Sequence, residues 1–293
     1  MAAMTAAEKR KRLKARLGRP GLIVAPGMFE MISARIADRM GFDCLYVTGY
    51  GTVASALGLP DAGIATYSDM VGRVAAYAAN TATPFIADGD TGYGGLLNIH
   101  HTVRGYESAG AAGIQIEDQE QPKKCGHTPG RRVAPFEEAV KRIKVANDAR
   151  SSADFLIVAR TDARSSLGLD EALRRAEAFR KAGADILFVE SPESEAEFAL
   201  IGKTIGGPLL ANMVEGGRSP VLAKATLETL GFKIAIYPGT AFLASAAAMT
   251  ESFRHIRDTG SSLGLKAPVM AFGDMNALMG FEQVWDFDKK WAD

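Results

Sequence analysis

Three acidic residues are placed where they could share an ion. Asp88 and Asp90 are separated by one glycine in the run Asp88-Gly89-Asp90-Thr91-Gly92-Tyr93-Gly94, and Glu117 closes a later apolar run. Carboxylates so spaced can turn onto a single hard cation. A small number of oxygen ligands suits Mg²⁺ or Mn²⁺, which keep waters and accept substrate oxygens. The competing reading is a glycine-rich turn of solvated aspartates. A second constellation is Lys123-Lys124-Cys125-Gly126-His127. Two lysines and a histidine beside a thiol are expected to stabilise its thiolate and bring its pKa toward neutrality. Such a thiol can exchange a proton with a carbon acid at working pH. Read otherwise, this is a basic loop with an incidental cysteine. A zinc site is disfavoured, since no second Cys–His pair exists. Cys44, at the head of an apolar run, reads as core, and His100, His101 and His255 read as packing or surface residues.

The elements that must carry these residues are legible as an alternation. Eight short apolar runs, at 22–25, 44–48, 85–88, 113–117, 155–160, 186–190, 209–212 and 233–237, are separated by helical patterns. Near-continuous apolar runs of this length suit parallel strands buried on both faces. Strand–helix alternation repeated eight times predicts an α/β fold, a (β/α)₈ barrel. The runs end in Thr48, Asp88, Glu117, Arg160, Glu190 and Asn212, and in such a barrel that end forms the rim of the active site. Among the helices, Asp170 is expected to cap one that ends near Gly183, and Ser219-Pro220 to open one that ends at Gly231. A single domain is expected over 1–293, with an N-terminal helix at about 5–17 and a helical extension at about 261–293. The N-terminal helix is basic and either docks through Leu13 and Leu17 or serves as a targeting helix. The apolar residues of the extension, Met275, Leu278, Met279, Phe281 and Trp285 among them, need cover, for which a partner subunit is a candidate.

Composition excludes several classes. Lysine plus arginine equals aspartate plus glutamate at 34 each, which leaves no footprint for nucleic acid or an anionic membrane. No run approaches a transmembrane length. Two cysteines make no disulfide framework, and a reducing cytoplasm suits them.

The residues quoted above, with Ile116-Glu117-Asp118-Gln119 and Val158-Ala159-Arg160-Thr161-Asp162-Ala163, resemble the isocitrate lyase/phosphoenolpyruvate mutase superfamily from about Gly27 to about Ala244. The Lys-Lys-Cys-Gly-His run resembles its lyase branch. The resemblance implies a barrel whose C-terminal helix is swapped between subunits, in a homotetramer built as a dimer of dimers. It implies Mg²⁺ held by Asp88, with Asp90 and Glu117 partly through water. Thr48, Gly49 and Tyr50 match a loop that holds a substrate carboxylate, with Thr48 where serine is usual and Tyr50 where several members have glycine. Asp61 matches a carboxylate near the metal, Arg160 an arginine that grips substrate, Glu190 and Asn212 supporting contacts, and Tyr46 a proposed base.

The implied chemistry is a retro-aldol cleavage of a di- or tricarboxylate. Tyr46 or a metal-linked carboxylate would take the hydroxyl proton. Arg160, His127 and the Gly49 to Gly51 amides would neutralise the developing charge, and Cys125 would protonate the departing carbon, with Lys123 among the catalytic residues and Gly126 among those that bind substrate. Asn212-Met213-Val214-Glu215-Gly216-Gly217 departs from the run of the methylisocitrate-cleaving members and is similar to that of the alkylmalate-cleaving ones. Pro238 stands where the oxaloacetate-hydrolysing members tend to carry serine. The expectation is therefore cleavage of an alkyl-substituted malate to a 2-oxoacid and a short carboxylate. The alternatives are methylisocitrate cleavage, oxaloacetate hydrolysis, phosphonate chemistry and a non-catalytic barrel.

Overall fold

The computed structural model describes residues 4–292. Its strands are β1 (Ile23–Met28), β2 (Leu45–Val47), β3 (Phe85–Asp88), β4 (Gly113–Glu117), β5 (Leu156–Thr161), β6 (Ile186–Val189), β7 (Leu209–Asn212) and β8 (Ile234–Tyr237). They pair in parallel in chain order, and β1 closes the barrel on β8 through Ile23 opposite Ile234 and Ala25 opposite Ile236. Each expected apolar run is a strand, and the first continues through Pro26-Gly27-Met28. The helices are α1 (Ala6–Leu17), α2 (Met31–Arg39), α3 (Gly49–Leu57), α4 (Tyr67–Asn80), α5 (Leu96–Ser108), α6 (Phe136–Ala149), α7 (Ala163–Leu167), α8 (Leu169–Lys181), α9 (Glu195–Thr204), α10 (Lys224–Thr229), α11 (Thr240–Thr259), α12 (Phe272–Met279) and α13 (Phe281–Trp291).

The period-two alternation of the strands sorts the core into two layers. Leu45, Val47, Phe85, Ala87, Ile114, Ile116 and Ile157 pack outward against the helices. Cys44, Tyr46, Ile86, Leu156, Val158, Ile186, Phe188, Leu210, Ile234 and Ile236 fill the interior. Leu13 of α1, fully buried, joins that interior cluster with Leu17 packed against it, so the N-terminal helix docks there. A capping box between Thr5 and Glu8 starts α1. Carried one step further along each strand, the inward set becomes polar: Thr48 after Tyr46, Asp88 after Ile86, Arg160 after Val158, Glu190 after Phe188, Asn212 after Leu210.

Two helix starts differ from expectation. Gly168, at φ +92°, caps α8 and leaves Asp170 in its first turn, where a carboxylate suits the helix dipole. Ser219-Pro220 opens no helix. The Ser219 hydroxyl is buried without a hydrogen-bond partner, and α10 begins only after Ala223.

The chain divides into two compact units, Met1–Thr240 and Ala241–Asp293. The second consists of most of α11 with α12 and α13. It buries Leu278 but exposes Phe253, Phe272, Trp285, Phe287 and Trp291. No helix among the described residues is long and apolar enough to cross a membrane.

Candidate active site

The polar ends of the strands meet at the C-terminal mouth of the barrel. Arg160, at the end of β5, is their hub. Its Nε and Nη2 donate to Asp162 at 2.9 and 2.8 Å, and its Nη1 lies 3.4 Å from both Glu117 and Glu190. Arg131 shares Asp162 at 2.6 Å. These two guanidinium groups outweigh burial and hold the Asp162 carboxyl below its usual range. Asp118 supports the hub from behind, accepting from the Asp162 amide at 2.8 Å, the Thr161 hydroxyl at 2.7 Å and Arg175 at 3.0 Å.

Asp88 and Asp90 face the same mouth. Asp88 Oδ1 accepts from the Asp90 amide at 3.0 Å and from Gln115 Nε2 at 3.2 Å. Its Oδ2 faces Gly49, where an added Cβ would stand only 2.6 Å away. Gly49 opens α3 after Thr48, which is buried, and Tyr50 beside it is 44% exposed. Asp90 adopts φ +48°, a left-handed backbone uncommon for a residue with a Cβ. Lys123 Nζ lies 2.6 Å from Asp90 and also pairs with Asp61, and all three side chains are nearly buried. The Lys123 ammonium thus holds Asp90 Oδ1, whereas Glu117 Oε1 is buried without a hydrogen-bond partner. Burial raises the pKa of Asp88 and pushes Asp90 up to about 7 against the pull of Lys123, and it holds Glu117 well above the usual carboxylate range.

The segment after β4 folds over this cluster. It is clamped at its base by the Gln119–Val133 bridge and by Gln119, whose amide exchanges hydrogen bonds with the Lys124 backbone. The Cys125 amide donates to Asp61 O at 3.1 Å, and Gly126 O accepts from Ser191 Oγ at 3.0 Å. Gly126 itself abuts Arg160 Nη2 and Glu190, leaving no room for a Cβ. His127 Nδ1 accepts from the Arg218 amide at 3.1 Å, and its Nε2 lies 3.6 Å from Glu190 and 3.1 Å from Asn212 Nδ2. Burial lowers the His127 pKa, so the ring is neutral at pH 7. Asn212 donates to Glu190 at 3.0 Å, while its Oδ1 is buried without a partner. Pro238 follows β8 and packs against Gly27.

Two sequence expectations need correction. The Cys125 thiol is not tuned toward neutrality, because burial pushes its pKa up to about 11. Lys123 turns away to Asp61 and Asp90, and Lys124 lies toward Gly130 O. The thiol nonetheless lies within the field of Asp61, Arg160 and Glu190, at the same mouth as the acids. Tyr46 is ill suited to act as a base: its hydroxyl donates to Gln115 Oε1 at 2.9 Å, and burial holds its pKa well above the normal value. Sequence reasoning missed Gln115, Arg131 and Ser191. Gln115 had a signal, as a polar residue inside an apolar run. Arg131 and Ser191 had none, since only folding brings them to Asp162 and Gly126.

Counted together, Asp61, Asp88, Asp90, Glu117, Asp162 and Glu190 set six carboxylates against three cations, Lys123, Arg131 and Arg160. The unpartnered Oε1 of Glu117, at the same mouth as Asp88 and Asp90, fits a hard cation. Among the described residues no three His, Cys, Asp or Glu side chains are grouped to hold a metal ion directly.

The phosphoenolpyruvate phosphomutase family matches residues 13–257. Over 288 residues, 98% of both chains, the sequence is 46% identical to the 2,3-dimethylmalate lyase of Eubacterium barkeri. The chain belongs to the phosphoenolpyruvate mutase/isocitrate lyase superfamily. Within the superfamily, an oxaloacetate acetylhydrolase bound to 3,3-difluorooxalacetate superposes with a TM-score of 0.91 at 35% identity, covering 96% of each chain. A phosphonopyruvate hydrolase bound to oxalate and Mg²⁺ superposes with a TM-score of 0.87 at 30% identity, covering 99% of this chain and 100% of that one. Lyases of the superfamily are among its relatives in sequence, and this member is a carbon–carbon lyase.

Proposed function

We propose that the protein is a Mg²⁺-dependent lyase that cleaves an alkyl-substituted malate, of the 2,3-dimethylmalate kind, to a 2-oxoacid such as pyruvate and a short carboxylate. The observation that carries this reading is the excess of buried carboxylate at a mouth that must admit a dianion. Carboxylates gathered out of water are costly without a counter-charge, and a divalent cation supplies it. Held there by Asp88, with Asp90 and Glu117 partly through water, Mg²⁺ (or Mn²⁺) would lower the pKa of the substrate 2-hydroxyl and neutralise its 1-carboxylate.

The protein groups then have separate tasks. Arg160 and the amides that open α3 at Gly49 hold substrate carboxylate oxygens. A carboxylate of the acidic trio takes the 2-hydroxyl proton. The C2–C3 bond breaks, its electron pair passes into the enediolate of the departing carboxylate, and Cys125 Sγ returns a proton to that carbon. A thiol whose pKa burial has raised to about 11 is protonated at neutral pH, as a donor must be. The neutral His127, Lys123 and the Gly126 backbone keep water from the enediolate while the segment is folded down.

Charge pairing supports a dicarboxylate over a tricarboxylate. Arg218, beside His127, is committed to Glu193 at 3.0 Å, and Arg164 is held by Glu193 and Glu197. A third substrate carboxylate would have to displace one of these partners. Pro238 brings no hydroxyl to the mouth, which supports cleavage over oxaloacetate hydrolysis.

The exposed aromatic side chains of α11 to α13 support a homotetramer in which this unit is exchanged between subunits. A coupled assay for 2-oxoacid release tests the activity across 2,3-dimethylmalate, 2-methylmalate, 2-methylisocitrate and oxaloacetate, with Mg²⁺ and with chelator. The expected result is pyruvate from the alkylmalates, lost on chelation and restored by Mg²⁺ or Mn²⁺. Activity confined to 2-methylisocitrate, or oxalate formed from oxaloacetate, would reject the assignment.

A further inference from the structure

We infer that Gln115 and Tyr46 are a pair of positioning residues that fix the carboxylate of Asp88 for its cation, and that Tyr46 acts only through Gln115; this rests on the metal reading above. Gln115 is fully buried within β4, between Ile114 and Ile116, and points into the barrel. A buried amide is costly unless both its ends are satisfied. Here both are. Nε2 lies 3.2 Å from Asp88 Oδ1, and Oε1 lies 2.9 Å from Tyr46 Oη. The chemistry of the partners fixes the direction of the chain. A carboxylate can only accept, so the amide presents its N–H to Asp88. Its oxygen therefore faces Tyr46, whose hydroxyl must donate.

Two consequences follow from that direction. Asp88 Oδ1 receives two donors, the Gln115 amide and the Asp90 backbone, so the carboxylate plane is set and Oδ2 is presented toward Gly49. The Tyr46 proton is committed to Gln115, and a phenolate there would confront the lone pairs of Oε1. Tyr46 thus prevents the amide from flipping. A flipped amide would turn its oxygen onto the oxygen of Asp88.

The test measures Mn²⁺ binding to the metal-free full-length enzyme without substrate, by calorimetry and by electron paramagnetic resonance of the free ion. Wild type is compared with Gln115→Leu, Tyr46→Phe and the double variant, with melting temperatures recorded alongside. Supporting residues of this kind cost 10- to 100-fold in metal affinity when removed, so Gln115→Leu is expected to weaken Mn²⁺ binding about tenfold or more and Tyr46→Phe about threefold. The double variant should match Gln115→Leu alone, because the tyrosine has nothing left to act through. At saturating Mg²⁺, Tyr46→Phe should keep at least about a tenth of kcat, whereas loss of a general base costs about 10²- to 10⁴-fold. Unchanged Mn²⁺ affinity in Gln115→Leu, or additive losses in the double variant, would overturn the positioning role. Should Gln115→Leu not fold, Tyr46→Phe decides the matter alone: kcat reduced by orders of magnitude at unaltered Mn²⁺ affinity would make the tyrosine a base. Wild type that binds no Mn²⁺ would instead sink the metal reading itself.

Discussion

Cys125 shows how residue type and residue environment part company. In the sequence it stands beside two lysines, and neighbouring positive charge argues for a thiolate. In the fold Lys123 is drawn to Asp61 and Asp90, and the thiol is left to burial, which raises its pKa to about 11. Adjacency in a loop sets backbone proximity only, and the partner that wins a lysine is the acid the topology brings to it. The sign gives a test. Alkylation needs the thiolate, so the rate at Cys125 should climb about tenfold per pH unit from pH 7 to 10, where a thiol tuned to neutrality would level off near pH 8. Iodoacetamide labelling of the unliganded enzyme, scored by peptide mass, reads this directly. Cys44, buried and pushed up to about 12, should stay unlabelled throughout. Replacing Cys125 by alanine should leave oxalate binding within about threefold but lower turnover about 10²- to 10⁴-fold, the usual range for a positioned proton donor. Near-normal turnover would remove the thiol from the reaction.

Among the elements, strands were easier to read than loops. An apolar run of strand length between helical patterns has few other homes, and each of the eight is a strand. The polar residue that ends a run lies on the inward face because side chains alternate, which is why Asp88, Arg160, Glu190 and Asn212 could be assigned to one mouth. Helix starts and loop paths were less legible. Gly168 displaces Asp170 as a cap, and 219–223 remains irregular where a helix was expected to open. In such segments the outcome depends on long-range partners, such as Met213 Sδ accepting from the Leu222 amide. The segment carrying Cys125 is the functional example. Its seat depends on Gly126, where a methyl would collide with Arg160 Nη2 and approach Glu190 Oε2 to 2.8 Å. Gly126→Ala should therefore keep the segment from seating. We expect kcat/KM to fall at least about tenfold and the melting temperature to drop by about 2–10 °C, because Gly126 is buried and overpacking such a site costs about 1–3 kcal/mol. A variant with unimpaired kcat/KM would show that the segment need not close this tightly.

At the scale of the whole molecule, the barrel and the C-terminal unit differ in how they bury themselves. The barrel interior is filled by its own strands and by Leu13. The C-terminal unit is short, and among its described residues only Leu278 is a buried large hydrophobe, while Phe253, Phe272, Trp285, Phe287 and Trp291 stay at least half exposed. The sequence announced that the apolar residues of 261–293, Trp285 among them, need cover, but not what covers them, since a single chain carries no record of its copies. Burying one such aromatic side chain contributes about 1.5–3 kcal/mol, so several together can hold an assembly. Sedimentation of the full chain should then give a tetramer. Replacing Trp285 and Phe287 together by serine should convert it to smaller species whose proportion rises on dilution, with stability becoming concentration-dependent because folding and association are linked. A monomer in the wild type at micromolar concentration, or a double variant that sediments unchanged, would mean that these aromatic faces meet water or some other partner, and that the exchanged-helix tetramer is not how this chain completes itself.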